Sequence, residues 1–249
     1  MNDIQDKLTQ CEINQQELWS YRPLSLETLQ SLKEYYRVGT TFTSNALEGN
    51  SLTESETKVI IEDGLTIEGK PLRDVYEAVG HAKAYDYMYE LSHNEPLTEE
   101  VICNLHKLFY QQMDSERAGQ YRKVPVFISG SQYSVSPVAE IGKRMKQLVQ
   151  WYNNNENKLH PVVLAAELHK RFVFIHPFID GNGRTGRLLV NLELMKAGYP
   201  PIDIKFTDRK AYYDAFDAYY VKGNLAPMEK LFAGYVNARL DQYLSMLQD

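Results

Sequence analysis

The sequence predicts an all-α protein interrupted by one short β-hairpin, and three observations predict it. Apolar residues recur at helical spacing in one segment after another, opened by capping residues or Pro and closed by Gly. Only Val124 to Val135 is β-rich. The chain never alternates strands with helices, as a parallel sheet requires. At 249 residues and 43% hydrophobic content it can bury one large core. No linker or composition shift separates independent domains. The expected organisation is therefore an N-terminal helical extension, residues 1–68, followed by one core domain, residues 69–249.

Residues 1–20 are polar and Gln-rich and read as a short helix or arm. Ser25 opens a helix with Leu26, Leu29, Leu32, Tyr36 and Phe42 on one face, stopped by Gly49. Thr53-x-x-Glu56 is a capping box for a helix closed by Gly64. Pro71 starts a long helix with Leu72, Val75, Val79, Ala82, Met88 and Leu91 inward, and Thr98 caps the next. His81 and His106 within them read as packing or surface histidines. Val124 to Ile128, a turn at Ser129-Gly130-Ser131, and Tyr133 to Val135 read as a hairpin whose edge can accept a partner strand. Ser136-Pro137 and Pro161 start two further helices, the second running to His176. Another helix runs to Ala197, Asp208 caps one bearing Tyr212, Tyr213, Phe216 and Tyr219, and a last one carries Met228 to Leu244.

The net charge of -6 argues against general nucleic-acid or anionic-membrane binding. Cys11 and Cys103 stand apart, so neither a disulfide framework nor a Cys-type metal pair is expected. No basic-then-apolar leader and no run of membrane-spanning length is visible, and a cytoplasmic protein is the expectation.

Between two helices lies His176-Pro177-Phe178-Ile179-Asp180-Gly181-Asn182-Gly183-Arg184-Thr185-Gly186-Arg187. Glycines at a helix start let backbone N–H groups form an anion nest. Arg184 and Arg187, three apart at the start of that helix, direct both guanidinium forks toward the same loop. The chemistry points to a polyphosphate site with a histidine beside it. Gly181-x-Gly183-x-x-Gly186 also fits a dinucleotide fingerprint, with Asp203 near the place of a ribose-binding acid. Against that, the preceding segment has helical spacing, and five residues separate it from the first glycine. Zinc at His169 and His176 lacks a third ligand at suitable spacing. No Gly-Lys-Ser/Thr follows the glycines, which excludes a P-loop.

The stretch resembles the Fic (filamentation induced by cAMP) motif, His-Pro-Phe-x-Asp/Glu-Gly-Asn-Gly-Arg-x-x-Arg, at every defined position. Leu105-His106, Ala118-Gly119-x-Tyr121-Arg122 and His160-Pro161 also resemble the family core. Ser44-x-x-x-Glu48-Gly49 resembles the family's inhibitory motif. The resemblance implies a Fic-fold helical bundle with a hairpin flap. It also implies transfer of AMP from ATP to a Ser, Thr or Tyr hydroxyl of a target protein, with Mg²⁺ and release of pyrophosphate.

The implied roles fall on particular residues. His176 is the general base and Asp180 the Mg²⁺ ligand. Gly181, Asn182 and Gly183 cradle phosphates through N–H groups and the Asn amide, within the nucleotide loop that Thr185 and Gly186 complete. Arg184 takes the β-phosphate region and Arg187 the γ-phosphate. Val126, Phe127, Ile128 and Ser129 form the flap edge that holds the target and touches nucleotide. Tyr212 and Tyr213 match a pair near the adenine, although Tyr220 stands where the family often has Asn. Glu48, with Ser44, is expected to pair bidentately with Arg187 and occupy the γ-phosphate position. Removal of AMP by a Glu48-positioned water is the alternative, and a nucleotide-sensing module without catalysis a weaker one. Self-AMPylation and a homodimer through the helix from Pro71 to Ser92 are further implications.

Overall fold

The computed structural model describes residues 3–93, 95–128 and 133–248. Among them are ten α-helices and no strand: α1 (Asp3–Ser20), α2 (Leu26–Ala46), α3 (Glu54–Glu62), α4 (Leu72–Leu91), α5 (Glu99–Tyr110), α6 (Ile141–Asn155), α7 (Pro161–Ile175), α8 (Asn182–Lys196), α9 (Arg209–Lys222) and α10 (Ala226–Gln248). The capping residues act as the sequence predicts. Ser25 and Thr98 each accept a backbone N–H three residues on, Thr53 and Glu56 complete the capping box, and Pro161 occupies the first turn of α7. Ser136 and Asp208 are exceptions. The Ser136 hydroxyl donates to the Phe174 carbonyl, and a 3₁₀ turn at Val138–Glu140 precedes α6, which starts only at Ile141. Asp208 ends a 3₁₀ turn, Phe206–Asp208, and its carboxylate accepts from the Tyr235 hydroxyl instead of capping α9.

The N-terminal segment is more than an arm. Leu8, Cys11 and Leu18 of α1 are buried against α10, and join one continuous core with Leu32, Tyr36, Tyr85, Phe109, Leu168, Phe172, Leu189 and Phe232. α8 is central. It packs on α7, α4, α5 and α2, and every residue from Arg184 to Leu194 is buried. Three expected inward positions face solvent: Leu26 at 85%, Leu29 at 37% and Leu72 at 58% exposure. All lie in the first turns of α2 and α4. Helices α4 and α5 cross closely at Gly80, where a Cβ would press into the Phe109 carbonyl.

The hairpin takes no ladder in the described residues; residues 125–128 and 134–137 run without assigned structure, and the turn, with Ser129, lies outside the described residues. Pro125 has no N–H to offer a ladder, and the Val124 carbonyl is taken by the Arg122 guanidinium at 3.0 Å. No helix among the described residues is long and apolar enough to cross a membrane.

Candidate nucleotide site

Two left-handed residues shape the loop between α7 and α8. His176 ends α7 at φ 51, ψ 58, the one non-glycine residue with positive φ among those described, and Gly181 at φ 75 opens α8. A non-glycine residue in that region is held there by its surroundings against strain, a condition that collects at functional sites. The Arg122 guanidinium supplies part of the hold, donating to the His176 carbonyl at 2.8 Å and to those of Val124 and Ser136, while the Arg122 N–H donates to the Pro177 carbonyl at 2.8 Å. One buried arginine thus ties both roots of the 123–135 segment to the histidine. Nothing in a linear reading of Arg122 announces this role.

His106 contributes the rest. Its Nδ1 accepts from the Gly119 N–H at 2.9 Å, so its Nε2–H donates to the Asp180 carbonyl at 3.1 Å, and its ring stacks on Phe178 at 3.8 Å. A histidine expected only to pack therefore also fastens the loop. Burial pushes it down to about 4, which keeps it neutral. The Asn182 carboxamide, expected at the phosphates, closes the loop from within. Its oxygen accepts from the Phe178 N–H at 3.0 Å and its nitrogen donates to the Phe178 carbonyl at 2.9 Å. What remains for an anion is the first-turn N–H groups of α8, which have no intrahelical acceptor.

His176 lines a cavity of about 340 Å³ with Glu48, Ile128, Val173, Gly183, Arg187, Arg209, Tyr212 and Tyr213. Its Nδ1–H donates to the Val173 carbonyl at 3.3 Å, leaving Nε2 as the acceptor nitrogen. Burial lowers its pKa to about 4 despite Asp180 and Glu48, so it is neutral near pH 7. On the cavity wall, Arg187 Nη2 donates to a Glu48 carboxylate oxygen and to the Ser44 carbonyl, both at 2.8 Å, and Nε donates to the Ser44 hydroxyl at 2.9 Å. The expected bidentate pair with Glu48 is thus a single contact, because Ser44 takes Nε and shares Nη2 while Nη1 donates to the Tyr212 hydroxyl at 3.4 Å. Burial would raise the Glu48 carboxyl, but Arg187 and Arg184 outweigh it and hold the group below the usual carboxylate range.

The two arginines diverge, where the sequence puts both forks on one loop. Arg184 is 2% exposed, lies over the Phe109 ring at 4.4 Å, and pairs with Glu77 of α4 at 2.9 Å and with Asp180 at 3.5 Å. The Glu77 contact is an ion pair rather than an aligned hydrogen bond, since Arg184 Nη1 has no hydrogen-bond partner. Glu77 and Arg73 escaped the sequence reading; an acidic residue on the buried face of a long helix is the one clue, and only contact across 107 positions assigns its partner.

Asp180 accepts from the Gly181 N–H at 2.6 Å and from Arg73 at 3.0 Å. It offers one partly exposed carboxylate, and no group of three metal-ligating side chains occurs among the described residues. Such a donor set fits Mg²⁺, which takes most of its shell from phosphate oxygens and water, and not zinc. Thr185 and Gly186 are buried and shape the helix start, with the Gly186 Cα against the His169 ring. The Tyr212 hydroxyl pairs with His169 Nε2 at 2.6 Å, and Tyr213 is 37% exposed on the cavity rim. Ile128 reaches the cavity, while Val126 is half-buried and Phe127 is 95% exposed. The dinucleotide alternative fails here. Helix α7, not a strand, precedes the loop, and half-buried Asp203 is paired with Arg239.

Comparison with known proteins identifies the family that shares this fold. Residues 96–194 match the model of the Fic/DOC family. The protein adenylyltransferase Fic of Nematostella vectensis is 34% identical over 245 residues, covering 97% of this chain and 56% of its own length. That of Drosophila grimshawi is 34% identical over 209 residues and 42% of its length, so the chain spans about half the length of these curated relatives. The crystal structure of a Fic domain containing signaling protein from Bacteroides thetaiotaomicron superposes with a TM-score of 0.82 at 31% identity, covering 97% of this chain and 95% of that one. Fic-1 from C. elegans superposes at 0.87 with 28% identity, covering 98% and 73%. A loop closed by Asn182, a strained His176 and two buried arginines thus sit in the same helical frame as these proteins: the chain belongs to the Fic family.

Proposed function

We propose that the protein is a protein adenylyltransferase that moves AMP from ATP to a hydroxyl of a target protein and is held inactive by Glu48. The observation that carries the reading is Arg187. This buried guanidinium lies on the wall of the histidine's cavity and is already occupied by a carboxylate and by Ser44. A γ-phosphate would seek the same fork, so Glu48 and a productively bound triphosphate compete for it. Residues 1–68 are then the regulatory extension and residues 69–249 the core.

In transfer, a target Ser, Thr or Tyr oxygen attacks the α-phosphorus. The bond to the pyrophosphate oxygen breaks, and the hydroxyl proton passes to Nε2 of His176, whose Nδ1–H stays on the Val173 carbonyl. The N–H groups of Asn182 and Gly183, turned into the cavity by the left-handed Gly181, hold phosphate oxygens. Arg187 offsets the negative charge on the leaving pyrophosphate once Glu48 withdraws, and Arg184, paired with Glu77 and Asp180, adds its positive charge from behind the loop. Asp180 is the residue that would hold Mg²⁺, which supplies charge neutralisation at the phosphates when bound. Arg73 must then release that carboxylate. The 123–135 segment, rooted by Arg122 and carrying Val126, Phe127, Ile128 and Ser129, is the flap on which an extended target segment lies. The exposed Phe127 suits such a partner. Tyr212 and Tyr213 line the nucleoside end.

A second reading is supported by the placement of Glu48 itself. An ionised carboxylate on the wall of the histidine's cavity suits positioning a water that removes AMP from the modified protein. The test is purified Glu48→Gly with Mg²⁺-ATP, followed by intact mass spectrometry and labelling of lysate proteins. Strong labelling by Glu48→Gly, weak labelling by the parent and none by Glu48→Gly/His176→Ala is expected. Equal labelling by parent and Glu48→Gly removes the inhibitory assignment.

A further inference from the structure

The end of α2 is held by donors from two other helices. A helix leaves its last carbonyls without intrahelical donors. Here most find local ones: Thr43 O accepts from Leu47 N, Asn45 O from Glu48 N and Asn50 N, and Ala46 O from Gly49 N, at 3.0–3.2 Å. Two are served from outside the helix. Ser44 O accepts from Arg187 at 2.8 Å, and Leu47 O accepts from Arg209 Nε at 3.0 Å. These two carbonyls flank Glu48 from the N-terminal side, and their partners come from different elements, α8 and α9. Arg209 is the first residue of α9. Its guanidinium lies over the Tyr213 ring at 5.1 Å and lines the same cavity as Glu48, Arg187 and His176. A cation on the last carbonyls also complements the negative end of the α2 dipole.

We infer that Arg209 is a positioning residue of the inhibited state: it clamps the Leu47 carbonyl and so fixes the turn that presents Glu48 to Arg187. The inference rests on Glu48 being inhibitory, and it adds the device that keeps the carboxylate aimed. Arg187 cannot do this alone, because a phosphate arriving at its fork displaces Glu48 and weakens the Ser44 contacts together. Arg209 bonds the main chain one residue before Glu48, so the turn stays in register while the carboxylate exchanges with phosphate. The inhibitory contact then re-forms without α2 refolding.

The experiment compares Arg209→Ala in the parent and in the Glu48→Gly background, with Lys210→Ala as control. Lys210 neighbours Arg209 and carries the same charge, but its partner is Asp214. AMP transfer and amide hydrogen exchange without nucleotide are both read. Arg209→Ala is expected to raise transfer about tenfold in the parent relative to its effect in Glu48→Gly, the population change commanded by one charge-assisted hydrogen bond. The Leu47 to Asn50 amides should exchange faster in Arg209→Ala and not in Lys210→Ala. A purely structural role would lower transfer equally in both backgrounds. That equality, or unchanged exchange at Leu47 to Asn50, overturns the inference. Should Glu48→Gly itself fail to activate, the functional reading falls, and the exchange arm alone decides whether Arg209 locks the turn.

Discussion

Replacing Glu77 by Gln removes one charge from the middle of the protein and leaves its partner behind. Glu77 is 5% exposed and Arg184 2%. One Glu77 oxygen faces Arg184 at 2.9 Å and Arg73 at 3.1 Å, and the other accepts from the Asn50 amide at 3.0 Å. Arg73 is at the surface and rehydrates. Arg184 cannot, and keeps only Asp180 at 3.5 Å. Breaking a buried pair by removing one partner costs about 3–5 kcal/mol. Both charges are almost wholly buried, so solvent screening gives little relief, but the surviving Asp180 contact places the expected loss near the low end, about 3 kcal/mol. For a chain of this size that lowers the melting temperature by roughly 6–12 °C. Urea unfolding of the parent, Glu77→Gln and Glu77→Gln/Arg184→Met measures it. The double variant removes the stranded charge and should recover most of the loss, because an apolar replacement of a buried pair is often neutral. A single variant within 1 kcal/mol of the parent, or a double variant no better than the single, refutes the claim that Glu77 exists to neutralise Arg184.

Acid sensitivity follows from the histidines. Burial pushes His81 and His169 down to about 3 and His106 and His176 to about 4. Each titrates near 6.5 when unfolded, so below that pH the unfolded chain binds protons the folded one refuses. The stabilisation these groups contribute is complete above about 6.5 and is lost as pH falls, toward about 4 for His106 and His176 and about 3 for His81 and His169; Glu48, held below its ordinary range, adds its own loss only at the acid end. Denaturation midpoints at pH 7.5, 6 and 5 should fall steadily, and a flat profile would contradict the burial of these rings. Gly80→Ala should cost about 1–3 kcal/mol, because the new methyl meets the Phe109 carbonyl at the α4–α5 crossing. A melting temperature equal to the parent's would show that the crossing yields freely.

The sequence by itself determined the helices and the loop. Caps such as Ser25, Thr53 and Thr98 act on neighbours three residues away, so their effect is local and legible. The run from His176 to Arg187 was equally legible, because glycines and guanidiniums at fixed spacing carry their chemistry with them. Only the tertiary structure decided how those groups are held. The left-handed turn at His176 depends on Arg122 reaching back 54 residues, and the aim of Arg184 depends on Glu77 across 107. The Asn182 amide turned inward to Phe178, which residue type alone cannot foretell. Glu48 met Arg187 through 139 positions of chain, with Ser44 and Arg209 setting its approach. Local preferences fix which backbone forms. Which charges face each other is set by packing, since a buried ion pair exists only where the folded core brings two distant side chains out of water together.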